Sequence, residues 1–173
     1  MKSPVPYFGD PEQLALEVKT RRTLHGPSAH ESVSDLAAGT AAEHLVCADL
    51  LLAGYLAFLA DQNFAYDIAV DLGGQLIRLQ VKSTRGLRRI PHQGILRDPV
   101  YAFTVRRAKG SKRAYEVGEF DILALVALDI RATAYFAPSQ HRQTIHIKPP
   151  GVAGGKQFSD FPFDAAVREV RAA

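Results

Sequence analysis

An α/β fold with a mixed central β-sheet flanked by helices is predicted for this 173-residue chain by three observations. A proline-free stretch rich in Ala and Leu runs from Leu36 to Ala53 and stops at Gly54, where a helix C-terminus takes a left-handed residue. Apolar and polar residues alternate on either side of Gly73-Gly74, the pattern of two strands joined by a tight hairpin. Ile122 to Leu128 is apolar at every position, as a strand buried on both faces is. The length suits one domain that buries about 70% of its surface on folding.

In chain order, residues 1–33 hold four prolines and scattered charges and read as a peripheral arm with one short helix candidate, Pro11 to Arg22. The main domain is expected over residues 34–173. After the Leu36 helix come three strand candidates: Tyr55 to Ala60, cut off by Asp61-Gln62-Asn63, then Tyr66 to Leu72 and Gln75 to Lys82. Further strands are expected at Val100 to Arg107, Ile122 to Leu128, Thr133 to Ala137 and Thr144 to Ile147, and a closing helix at Pro162 to Val170.

With 47% apolar and 23% charged residues, the chain is neither a disordered tail nor a disulfide-held scaffold, since it has one cysteine, Cys47. Met1 to Asp10 lacks the apolar stretch of a secretory signal, and Leu50 to Ala60, broken by Gly54, falls short of the ~20 residues of a membrane span. A cytoplasmic, reducing setting is expected, with no membrane partner.

The net charge of +3 conceals a strong asymmetry: Arg78 to Arg113 holds eleven Lys and Arg against one acid, Asp98, a net +10, which leaves −7 on the remainder. Solvated surfaces usually mix signs, so a segment this one-sided points to a polyanion, and nucleic acid is the expected partner. Thr84, Arg85, Arg88 and Arg89, then Arg106, Arg107, Lys109, Lys112 and Arg113, are the candidate phosphate contacts.

With Gly73 and Gly74 as the two loop residues, opposed positions pair Leu72 with Gln75 and, apolar against apolar, Val70 with Ile77 and Ile68 with Leu79. The same register sets Asp67 opposite Gln80, Cβ atoms roughly 5 Å apart, with Lys82 diagonal at about 7–8 Å. Period-two alternation puts Gln80 and Lys82 on one face beside Asp67, and Ile77, Leu79 and Val81 on the other. On the preceding helix, Gly39, Glu43, Val46, Cys47 and Leu50 form the stripe that turns toward a sheet, so Glu43 lies among apolar neighbours. An unpaired carboxylate there costs several kcal/mol, which a divalent cation shared with Asp67 would offset. Thr40-Ala41-Ala42-Glu43 also matches a capping box, but a helix already running from Leu36 puts Thr40 too far inside to be its cap. Packing or surface roles are expected for Cys47, His44, His92 and His141.

A helical Glu, then Tyr66-Asp67-Ile68, then Gln80-Val81-Lys82 resembles the PD-(D/E)XK nuclease superfamily over Leu36 to Arg85. Nearest in pattern are endonucleases associated with group I introns, with a helix similar to Gly39-Thr40-Ala41-Ala42-Glu43 and a strand similar to Leu79-Gln80-Val81-Lys82-Ser83-Thr84; archaeal Holliday-junction resolvases are more distant. The resemblance implies a restriction-endonuclease-like sheet and four catalytic positions, Glu43, Asp67, Gln80 and Lys82. It implies Mg²⁺, with Mn²⁺ as substitute, held by Asp67, Glu43, Gln80 and the Val81 backbone carbonyl, and Lys82 on the nucleophile or scissile phosphate. Gln80 stands where the superfamily usually has a second acid, and no proline precedes Asp67. The expected activity is metal-dependent hydrolysis of double-stranded DNA by a symmetric homo-oligomer, dimer or tetramer, with one site per subunit. A catalytically idle nucleic-acid-binding module and a junction resolvase are the competing readings.

Overall fold

The computed structural model describes residues 34–92, 95–96, 98–106, 115–116, 118–137 and 143–173. The expected arm before residue 34, together with Arg107, Lys109, Lys112, Arg113 and His141, lies outside the described residues. Every element below belongs to the second of the two units into which the chain divides, Asp35–Ala173.

Helix α1, Asp35–Leu52, is closed as its last residues foretell: Gly54 takes φ 90°, its N–H donates to Leu51 O at 3.0 Å, and the Tyr55 N–H donates to Leu50 O at 3.0 Å. These two bonds satisfy carbonyls that a helix end otherwise leaves open. The buried stripe of α1 is Ala38, Ala42, Val46, Cys47 and Leu50. Gly39 and Glu43, expected within that stripe, are half-buried, and Ala38 and Ala42 take their places in it.

Strands β1 (Leu56–Leu59), β2 (Ile68–Asp71) and β3 (Leu76–Thr84) follow as an antiparallel meander. The expected register holds, with Ile68 against Leu79 and Val70 against Ile77. Gly73 and Gly74 adopt φ 74° and 95°, the two positive values a two-residue hairpin loop requires. The chain then passes through the short pair β4 (Pro91–His92) and β5 (Ile95–Leu96), and β6 (Tyr101–Thr104), before β7 (Ile122–Ala127) enters the sheet parallel to β3. Strand β8 (Ala132–Phe136) pairs antiparallel with β7, giving a mixed five-stranded sheet of order β1-β2-β3-β7-β8. All six residues of β7 are buried, as its unbroken apolar run foretells.

Both described α-helices, α1 and α2 (Phe163–Ala172), contribute to the core on one face of this sheet, where Val46 and Leu50, then Phe163 and Val167, join Ile68, Leu79, Val81, Ile122 and Ala124. On the other face, the described cover is a second sheet. Strand β9 (Thr144–Ile147) pairs with β6, and their Tyr101, Phe103, Ile145 and Ile147 pack with Leu123, Leu125 and Phe136. Alternation explains it: Tyr101 and Phe103 share one face of β6, Ala102 and Thr104 the other, so the strand has a single apolar side to bury.

Candidate active site

Strand β2 begins at Ile68 while β3 continues to Thr84, and the candidate site lies along that uncovered stretch of β3. The Asp67 backbone is not directly opposite Gln80 as expected. Its N–H donates to Leu79 O at 2.8 Å, and Leu79 already pairs with Ile68, so two residues stand against one as in a bulge. The Asp67 carbonyl accepts from the Ala60 N–H at 2.9 Å, which ties the residue to the end of β1 as well.

This slip leaves the Val81 N–H facing the β2 side with no strand to receive it. The Asp67 carboxylate takes that place: Oδ2 accepts from Val81 N at 2.6 Å and also from Gln80 Nε2. A buried backbone donor needs a partner, so the end of β2 itself fixes the orientation of Asp67. The Gln80 amide is equally determined. Its nitrogen has two acceptors, Asp67 Oδ2 and Val81 O at 3.4 Å, so this end is the NH₂ and Oε1 is the remaining neutral acceptor.

Burial holds the Asp67 carboxyl above its ordinary range even though the Val81 N–H, the Lys82 charge and the Gln80 amide all pull it down. Glu43 on α1 is raised too, first by burial and then by the negative charge of Asp67, against the opposing pull of His44 and Lys82. Glu43, Asp67 and Lys82 therefore share one electrostatic field, from three separate parts of the chain. Thr40 is inside α1, where its carbonyl accepts from a His44 ring nitrogen at 2.8 Å, so Glu43 is not the third residue of a cap. Lys82 is half-buried, with its ammonium 5.3 Å from the centre of the Tyr115 ring. Cys47 is buried with its thiol pushed up by burial, as suits packing.

Among the described residues no three His, Cys, Asp or Glu side chains gather as a metal cluster. The donors present are two carboxylates and the Val81 carbonyl, which points to the same side of β3 as its N–H; the Gln80 amide turns its NH₂ end toward Asp67 and Val81 O, so its oxygen, expected as a ligand, faces away from them. These are hard oxygens, a donor set that suits a divalent cation.

Of the candidate phosphate contacts, Thr84 is buried and its hydroxyl donates to Gly86 O at 3.2 Å. Arg85 is half-buried and paired with Asp35 at 3.0 Å, Arg88 and Arg89 are exposed, and exposed Arg106 donates to Gln143 at 2.6 Å. Arg78, counted in the basic segment, is spent on structure: its backbone N–H, Nε and Nη2 all donate to Asp121, and Nη1 donates to Gly118 O. Sequence reasoning does not single out Tyr115, Asp35 or Asp121. Only Asp121 has a local signal, standing immediately before the apolar run of β7.

The family model for PD-(D/E)XK endonucleases matches residues 34–159, from the start of α1 through both site strands to β9 and the turn beyond it. The chain belongs to the PD-(D/E)XK endonuclease family. Among solved structures, this endonuclease is similar to a bacterial homing endonuclease, I-Ssp6803I, with a TM-score of 0.58 and 17% identity over 80% of this chain and 95% of that one. At that identity the likeness speaks for the fold. No curated protein matches the endonuclease chain. Among its described residues, no helix is long and apolar enough to cross a membrane.

Proposed function

We propose that this protein is a metal-dependent DNA endonuclease that hydrolyses phosphodiester bonds in duplex DNA, with Mg²⁺ as its ordinary cation and Mn²⁺ as substitute. One observation carries the reading: Asp67 and Gln80 bond to each other at the open end of β2, while Glu43 and Lys82 act on the same field. Asp67, Glu43 and the Val81 carbonyl would hold the cation, with Gln80 Oε1 joining them once its amide is reversed, and the bound cation would shield the phosphate oxygens and activate water. Within the protein, the Val81 N–H and the Gln80 amide hold Asp67 in one orientation. Lys82 contacts the nucleophile or donates to an oxygen of the scissile phosphate, where charge develops, a preorganised donor of the kind whose loss costs about 10²–10³ in rate. Arg85, Arg88, Arg89 and Arg106 engage flanking backbone phosphates, as do Arg107, Lys109, Lys112 and Arg113 in the same basic segment; Thr84, expected among them, is withdrawn because it is buried and its hydroxyl is spent on Gly86 O. One site per chain cuts one strand, so a symmetric dimer or tetramer acts on the duplex, in the cytoplasm.

A second reading is a catalytically inactive DNA-binding module of the same fold. The Gln80 amide favours it, since a neutral side chain stands where a second acid would add charge for the cation. Supercoiled plasmid incubated with Mg²⁺, Mn²⁺ or EDTA decides between the two. Nicking or linearisation with either cation and not with EDTA, lost on Lys82→Ala or Asp67→Ala, is the expected result. Binding without cutting under every condition establishes the inactive module, and cutting that survives both substitutions removes the site.

A further inference from the structure

We infer that a cleft just beyond the catalytic strand segment is a subsite for a DNA backbone phosphate next to the one that is cut, and that Asp35 guards it in the free protein. This rests on the nuclease reading and names a further contact for the same substrate. The cleft has a volume of about 170 Å³ and is lined by Asp35, Ala38, Ser83, Thr84, Arg85 and Arg88. Ser83 and Thr84 directly follow Lys82 on β3, and at about 3.3 Å per residue the cleft begins within about 7 Å of the catalytic lysine along the strand. That is a reach suited to a neighbouring phosphate on one strand.

The segment bearing the two arginines is held at several points. The Thr84 carbonyl accepts from the Leu128 N–H at 2.9 Å, and its hydroxyl donates to Gly86 O at 3.2 Å. Gly86 runs so close to the β7–β8 turn that an added Cβ would lie 3.3 Å from the Asp129 carboxylate, which itself accepts from the Tyr101 hydroxyl at 3.0 Å. The Arg88 N–H and C=O both bond to Val100, at 2.8 and 3.0 Å. Two guanidinium groups are thus presented from a fixed backbone, so only their side chains are left to order when an anion arrives.

Asp35 holds Arg85 at 3.0 Å, but its own side chain is 80% exposed and that of Arg85 37%. An ion pair so open to water is weakly held. A phosphodiester offers guanidinium groups charge-assisted bonds from two oxygens and does not have to be kept in place by its own flexible side chain. The phosphate therefore displaces Asp35 from Arg85, and the free protein lowers its affinity for DNA by keeping a carboxylate in the phosphate's place.

The test is binding of a fluorescent duplex by the full chain across a salt series, with Ca²⁺ in place of Mg²⁺ and melting temperature recorded for each variant. Asp35→Asn is expected to bind about three- to tenfold more tightly than wild type. Arg85→Ala is expected to weaken binding and to flatten the slope of log Kobs against log[salt] by about 0.9, one phosphate contact. In the Arg85→Ala background, Asp35→Asn should bring no gain. Equal tightening in both backgrounds means that a general charge effect is at work and overturns the inference, as does an unchanged slope for both Arg85→Ala and Arg88→Ala. Inorganic phosphate that stabilises the wild type while Arg85→Ala leaves the DNA slope untouched would mark an ion site and overturn the DNA assignment. Wild type that neither binds nor cuts DNA overturns the nuclease reading itself, an outcome separate from these.

Discussion

The Lys82 ammonium lies 5.3 Å from the centre of the Tyr115 ring, and Tyr115 is itself held edge-on against buried Phe120 with ring centres 5.0 Å apart. The aromatic face gives the lysine a resting position. A cation–π contact is worth about 0.5–2 kcal/mol. Tyr115→Leu is expected to lower kcat by roughly two- to thirtyfold with KM little changed, while Tyr115→Phe, which keeps the ring, retains the wild-type rate. Loss in both variants would place the effect in the hydroxyl instead.

Asp67 and Glu43 both carry pKa values above the ordinary carboxylate range, the first through burial and the second through burial and the Asp67 charge. The folded state then binds these protons more tightly than the unfolded chain does. Their ionisation costs stability: the cost is absent below the ordinary carboxylate value, near 4, and complete once pH exceeds the raised native values. Asp67→Asn is accordingly expected to melt at a higher temperature than wild type at pH 7–8 in EDTA, with the gain vanishing as pH falls toward 4. Added Mg²⁺ should raise the melting temperature of the wild type and leave that of the variant in place.

Gln80 donates to Asp67 where a glutamate would repel it. Two unit charges about 4 Å apart at an effective dielectric of 20 interact by roughly 4 kcal/mol, an amount reduced when one of the pair takes up a proton. Gln80→Glu should therefore melt roughly 5–10 °C lower in EDTA at neutral pH. Calorimetric titration should show tighter Mg²⁺ binding by the free protein than in wild type. A variant as stable as wild type without the cation would mean that the two side chains do not meet.

Arg78 and Asp121 lock the start of β3 to the start of β7, with the Asp121 N–H donating to the Arg78 carbonyl at 2.8 Å besides the side-chain bonds. Burial alone raises the Asp121 carboxyl, but the side-chain and backbone donors of Arg78 outweigh it and hold it below its ordinary value. The stabilisation from this group is present above the ordinary carboxylate value and is lost as pH falls through the lowered native one. Arg78→Met is expected to cost about 1–3 kcal/mol in urea unfolding, toward the lower end because a third of the Arg78 side chain meets water. Asp121→Asn should remove part of the acid limb of the stability profile.

The hairpin about Gly73-Gly74 is legible in the sequence because its turn chemistry and its alternating residues agree on one register, in which Val70 meets Ile77. That register alone brings Asp67 close to Gln80 and Lys82. It does not reveal that β2 begins only at Ile68, because no residue type announces that Asp67 will fall back to Leu79 and offer its carboxylate to the Val81 N–H. The stripe of α1 is readable from its period to within one residue. Its exact centre is not, because whether Ala38 or Gly39, and Ala42 or Glu43, is the buried one is settled by what surrounds the helix in the fold.

By itself, then, the order of residues determined the local features: α1 and its glycine stop, the hairpin register, the buried character of β7, and a basic stretch with a Gln-x-Lys strand at its head. Periodicity, turn preference and charge are properties of neighbours in the chain, and they can be read there. Only the tertiary structure decided that β7 lies parallel to β3, that β6 and β9 pack on the second face, that Arg78 is consumed by Asp121, and that Tyr115 stands beside Lys82. Those contacts join residues brought together by the packing of the whole sheet, and no spacing along the chain encodes them.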